Sequence, residues 1–182
     1  MSRADFDNFI ERKAKALEES DKLNPQRQID EWRSFLNTLY RSVSGYMAKY
    51  VEAGHAEISS TDIELNEEFS GPYTVQDLTV SFGGSTVNFK PVGTMLIGSK
   101  GRVDVRGPHG VARLVLVDKN VSSSRQLIKV RVSIDDKPLR PEPERASPPE
   151  WTWKLVSPPP EMQFTDLTED TFFDMLLSVA DA

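Results

Sequence analysis

The feature that most constrains this fold is a change of period at Gly54. Before it, apolar residues recur every three or four positions; after it, they alternate with polar ones. That order places helix first and sheet second, an α+β arrangement.

In the helical part, Phe6, Phe9, Ile10, Ala14 and Leu17 recur at helical spacing among charged residues, so residues 1–22 read as a charged amphipathic helix that extends toward another protomer or partner. Asn24-Pro25 interrupts it with an N-cap and a proline suited to the first helical position. The next helix is expected from about Pro25 to about Val51. Its seam of Ile29, Trp32, Leu36, Leu39, Val43, Tyr46 and Tyr50 keeps alternating three- and four-residue steps. Phe35, Tyr40 and Met47 widen that seam, which suits a helix lying on a sheet or in a helix pair. Glu52-Ala53-Gly54 supplies the stop.

The sheet begins with one or two edge strands in 56–69, where Ile58, Ile63, Leu65 and Phe69 are apolar. Leu78, Val80 and Phe82, then Val87 and Phe89, alternate on either side of Gly83-Gly84. A two-residue hairpin there opposes Phe82 to Ser85, Val80 to Val87 and Leu78 to Phe89, with the apolar sets on one face. A second hairpin is expected from Thr94–Ile97 through Gly98–Gly101 into Arg102–Arg106. A third, turning at Gly107-Pro108-His109-Gly110, opposes Val105 to Ala112, Asp104 to Arg113 and Val103 to Leu114. Leu114–Val117 is apolar on both faces and reads as a central strand. Residues 127–134 read as a further strand with Lys129 and Arg131 outward.

Eight of the 12 prolines fall between Pro138 and Pro160, so 138–150 reads as an extended loop. Trp151–Val156 reads as a strand with Trp151, Trp153 and Leu155 on one face. Thr168 caps a last helix whose first turn holds Glu169 and Asp170 and whose apolar side is Phe172, Phe173, Leu176 and Leu177. The expectation is therefore one domain over 1–182, with a helical part (1–54), a mostly antiparallel meander-like sheet of six to eight strands (55–167) carrying the long helix on one face, and a short C-terminal helix (168–182).

With no cysteine in 182 residues, disulfide scaffolds, iron–sulfur clusters and thiol catalysis are excluded, and two histidines leave little for a metal site. No apolar run approaches the ~20 residues of a membrane span, and the start resembles no signal peptide, so a cytosolic protein of bacterial type is expected. The net charge of −6 is unevenly laid out: 0 over 1–54, −5 over 55–98, +6 over 99–140 and −7 over 141–182. The basic stretch either steers an anionic partner or pairs with the chain's own acids.

Among candidate sites, Gly93–Lys100 has two glycines with four residues between them, followed by Ser and Lys, the reverse of the phosphate-loop order, and a strand follows where a helix is required. Nucleotide hydrolysis by this motif is rejected. Lys100, Arg102, Arg106, Arg113, Lys129 and Arg131 form a candidate anion-binding set on one sheet face, with cations about 7 Å apart along a strand. The competing reading pairs Asp104 across the strands with Arg113. No aromatic lies between Phe89 and Trp151 to stack on bases. Trp151, Trp153, Phe172 and Phe173 are candidate partner-binding residues. Asp104, His109 and Asp118 are the raw material of a metal-dependent hydrolase, the weakest reading. Turn chemistry accounts for Asp118 and Asn120, and His55 is placed to meet the carbonyl end of its helix. The leading expectation is a non-enzymatic, self-associating interaction module, without cofactor or metal, that uses its helices and Trp-bearing C-terminal part. The alternative partner is nucleic acid or another phosphorylated ligand.

Overall fold

In the computed structural model, which describes residues 6–13, 24–68, 70–94, 99–127, 148–160 and 162–181, the change of period at Gly54 is a change of structure. Residues 6–13 form helix α1, and α2 spans Pro25–Glu52. The Asn24 carboxamide oxygen caps α2, accepting from the Gln26 and Arg27 amides at 3.0 and 3.4 Å. At the other end Gly54 takes φ 72°, its amide donating to the Val51 carbonyl while the His55 amide donates to that of Tyr50. This double bond across a left-handed glycine closes the helix and turns the chain into the sheet. His55 thus meets the carbonyl end through its backbone.

Among the described residues seven strands follow: β1 (Ala56–Glu67), β2 (Gly71–Phe82), β3 (Ser85–Gly93), β4 (Gly101–Gly107), β5 (Gly110–Asp118), β6 (Trp151–Val156) and β7 (Phe164–Asp166). They lie side by side in sequence order and pair antiparallel throughout, an uncrossed meander. Helix α3, Glu169–Ala180, completes the fold. The β2–β3 hairpin has the expected register, Leu78 opposite Phe89 and Val80 opposite Val87. The β4–β5 hairpin also does, with Val105 opposite Ala112 and Asp104 opposite Arg113.

Other expectations are corrected. The partner of β4 on its first edge is β3, pairing Phe89 with Val105 and Pro91 with Val103, rather than a strand at Thr94–Ile97. β3 is long enough to supply that edge itself, and residues 95–98 lie outside the described residues. β2 begins seven residues before Leu78, and Tyr73 and Val75 join the core. Leu177 is 58% exposed, whereas Met175 and Val179 are buried with Phe172 and Leu176. The expected strand at 127–134 and most of the proline-rich loop, 138–147, lie outside the described residues.

The inward-facing set of β2 switches phase, from Leu78 and Val80 to Tyr73 and Val75, although its pairing with β1 is unbroken. Pro91 has no N–H to offer, and β2 pairs with β3 only over Leu78–Phe82. Beyond that point β1–β2 is a two-stranded ribbon, which twists more than a wider sheet and turns its other side inward.

Helices α2 and α3 pack on one face of the sheet, α2 against β1 and β2 and α3 against β3, β4 and β5. The core between them holds Trp32, Leu36, Leu39 and Val43 of α2, Phe172, Met175 and Leu176 of α3, and Val80, Val87, Phe89, Val103, Val105, Leu114 and Leu116 of the sheet. The Trp32 and Trp153 rings meet at 5.9 Å, and Trp153 Nε1 donates to the Phe35 carbonyl at 3.1 Å. Tyr46 and Phe172 rings meet at 5.2 Å, joining the two helices.

Candidate functional site

With the helices on one side, the opposite face of β3–β5 carries a cross of charges centred on Asp104. Arg102 and Arg106 flank it along β4, two residues either way, while the pairing register sets Lys90 of β3 and Arg113 of β5 on its two sides. Arg102 Nε donates to the Asp104 carboxylate at 2.9 Å and Arg106 Nη2 at 3.3 Å. Asp104 is only 5% exposed and so accepts from both guanidiniums as a desolvated acceptor. The expected cross-strand pair is corrected here. Arg113 stands opposite Asp104, but same-strand arginines hold the carboxylate. Among the described residues neither Arg113 nor Lys90 forms an ion pair, and both are exposed.

The other anion-binding candidates part company with this cross. Lys100 sits before β4, its ammonium 2.7 Å from Glu31 of α2 and 5.6 Å from the centre of the Trp151 ring. It ties the sheet to α2. Lys129 and Arg131 lie outside the described residues. Lys90 was missed by sequence reasoning, although the β2–β3 register carried one pair further puts it on the same face as Asn88.

The hydrolase candidates are not brought together. His109 lies in the turn before β5 and Asp118 at the far end of that strand, roughly 30 Å away at ~3.3 Å per residue. The His109 amide donates to the Val179 carbonyl at 2.9 Å, and Ser85 Oγ to that of Ala180 at 3.3 Å. Two hairpin turns therefore receive the end of α3. A Cβ on Gly107 would collide with the Val179 carbonyl, so this approach requires glycine. Asp118 Oδ1 accepts from the backbone and side chain of Asn120, both at 3.0 Å, the expected turn. Among the described residues no three His, Asp or Glu side chains converge on a common point.

A cleft of about 330 Å³ lies between α2 and the β1–β2 ribbon, lined by Arg33, Asn37, Tyr40, Asp62 and Gln76. Its polar groups hold the ribbon: Arg33 donates twice to the Thr74 carbonyl, at 3.1 and 2.9 Å, and the Tyr40 hydroxyl to that of Gln76 at 2.6 Å. Near the ribbon tip Glu67 accepts from the Tyr73 hydroxyl and the Thr94 amide, both at 2.6 Å. Burial raises the pKa of the Tyr40 hydroxyl, and the Asp77 charge adds to it. Burial likewise raises that of Tyr73, with the hydrogen bond to Glu67 second.

An apolar groove of about 300 Å³ opens where α2 ends beside α3. Met47 and Leu176, each 2% exposed, form its floor, Phe82 and Phe173 line it, and Tyr50 and Leu177 stand 40% and 58% exposed at its rim. Tyr50 meets Phe173 edge-on at 5.7 Å. Of the partner-binding candidates, Trp153 (7% exposed) and Phe172 (0%) belong to the core; Trp151 and Phe173 are half-buried, and of the four only Phe173 lines this groove. Met47, Phe82 and Leu177 complete a surface that sequence patterning read as separate core positions. Helix α1 has its own apolar face, with Phe6, Phe9 and Ile10 exposed by 62%, 46% and 49%.

In class this is an α+β protein, a seven-stranded antiparallel meander with two helices on one face and an exposed amphipathic helix preceding them. No known protein family matches the chain, nor does any curated protein or solved structure. No described helix is long and apolar enough to cross a membrane.

Proposed function

We propose that the protein is a non-enzymatic interaction module acting in the cytosol, which associates with itself through its helical parts. The observation that carries this reading is the apolar face of α1. Three large side chains, Phe6, Phe9 and Ile10, share one side of a helix none of whose described residues is buried. A contiguous apolar face on a water-soluble chain marks a contact surface. Trp153 and Phe172 serve the core, so the exposed helical surfaces carry the contact in their place. Light scattering is expected to show an oligomer for the full chain and a folded monomer once residues 1–22 are removed, with circular dichroism showing that the rest stays folded. Equal monomeric masses overturn the reading.

The charge cross on the sheet face away from the helices favours a second reading, a phosphorylated polyanion held by Lys90, Arg102, Arg106 and Arg113. Four cations face Asp104 and the neighbouring Asp77, which Asn88 holds at 3.2 Å, and so outnumber the carboxylates two to one. Its test is affinity for a short oligonucleotide, expected to fall steeply with salt and to weaken in Lys90→Ala and Arg113→Ala. Absence of binding at low salt removes it.

A further inference from the structure

We propose that the apolar groove between the end of α2 and α3 receives α1 of a second copy of this chain, with the two arms exchanged. The inference rests on the self-association reading and names its site. Phe6, Phe9, Ile10 and Lys13 fall at i, i+3, i+4 and i+7, the spacing by which an amphipathic helix lays one face into a groove. The groove offers matching chemistry, an apolar floor of Met47 and Leu176 between the Tyr50 and Leu177 rims.

Charge supports the pairing. α3 brings Glu169, Asp170 and Asp174 and no basic residue. α1 ends in Arg12 and Lys13, Lys13 on the apolar face and Arg12 on one flank, with Asp7 and Glu11 on the other flank. A docked α1 sets its basic flank beside the acids of α3.

Reach decides between the chain's own arm and another's. Met47 lies 22 residues beyond Pro25 in α2, about 33 Å of helix. Twelve backbone steps join Lys13 to Pro25, a span of at most roughly 40–43 Å when fully extended. The chain's own α1 would reach its own groove only with the connection drawn nearly straight, a large entropic cost. With two copies of α2 side by side and antiparallel, Pro25 of one chain lies near Met47 of the other, and the same connection reaches without strain. The exchange is isologous, each arm in the other's groove, and closes as a dimer.

The test uses the full chain in sedimentation equilibrium, beside Leu177→Asp and Phe9→Asp, both at exposed positions, with circular dichroism and thermal unfolding to show that each variant folds. The expected result is a wild-type dimer and a dissociation constant at least about 30-fold weaker in each variant, the loss of one interface hot spot. Because the chain has no cysteine, a mixture of Ile10→Cys and Leu177→Cys is also expected to oxidise to a covalent dimer joining the two variants. A monomeric wild type overturns the self-association reading and this inference with it. A wild-type dimer that Leu177→Asp leaves intact overturns the groove alone. An Ile10→Cys/Leu177→Cys double variant that closes only within one chain overturns exchange between copies.

Discussion

Helices α1 and α3 are both short and amphipathic, one set with Phe6, Phe9 and Ile10 and the other with Phe172, Met175, Leu176 and Val179, yet only the second is covered. The α3 set is 0–2% exposed, whereas the α1 set is 46–62% exposed. What separates them is attachment. Two residues join β7 to α3, the Thr168 side chain caps it reciprocally with Thr171, and its last carbonyls seat on the Ser85 and His109 turns. α1 precedes eleven residues of connection and none of its described side chains is buried. An apolar stripe marks a surface suited to burial, and the attachment decides whether the helix's own body buries it.

The largest effect that would sharpen this contrast is Phe172→Ala. Emptying the space between Tyr46 and Phe89 is expected to lower unfolding free energy by about 3–5 kcal/mol in urea titration. Gly107→Ala drives a methyl group into the Val179 carbonyl and is expected to cost about 1–3 kcal/mol, read in the same titration.

A pH titration separates the body from the arm, because the buried tyrosines lie in the body and α1 has none. The pKa values of Tyr40 and Tyr73 are raised in the folded state above the ordinary value near 10. Their contribution to stability is therefore complete below pH 10 and is lost as pH rises beyond it, by up to ~1.4 kcal/mol per pH unit for Tyr40. Tyr40→Phe should flatten that alkaline slope in denaturation measured at successive pH values.

Thr168→Ala removes the cap of α3 and is expected to cost about 1 kcal/mol. The smallest effect is expected at Phe9→Ala, where monomer stability should change by less than about 0.5 kcal/mol. A larger loss there, in a sample diluted to the monomer, would break the contrast by showing that α1 packs on its own body.

Much of the fold was legible because the responsible interactions are local. The Asn24 cap, the Gly54 stop, the Thr168 cap and the registers of the two tight hairpins each depend on residues within a few positions of one another. The pairing of β4 with β3 was not, because it depends on how far β3 runs and on a proline that releases the neighbouring ribbon. Of the candidate site, Arg102, Arg106 and Arg113 were legible as one face from alternation alone. Their anchoring to Asp104 along the strand, and the addition of Lys90 across it, needed coordinates.

The groove shows the same division. Heptad spacing placed Met47 and Tyr50 near one stripe of α2, and the pattern of α3 placed Leu176 and Leu177 together as apolar. Only the tertiary structure decided that Leu176 closes the floor while Leu177 stands at the rim. Period and capping are set by neighbours along the chain, whereas burial is set by what the rest of the chain brings alongside. The sequence by itself thus determined which elements form and which faces are apolar. Tertiary packing alone decided which of those faces the molecule covers and which it leaves exposed.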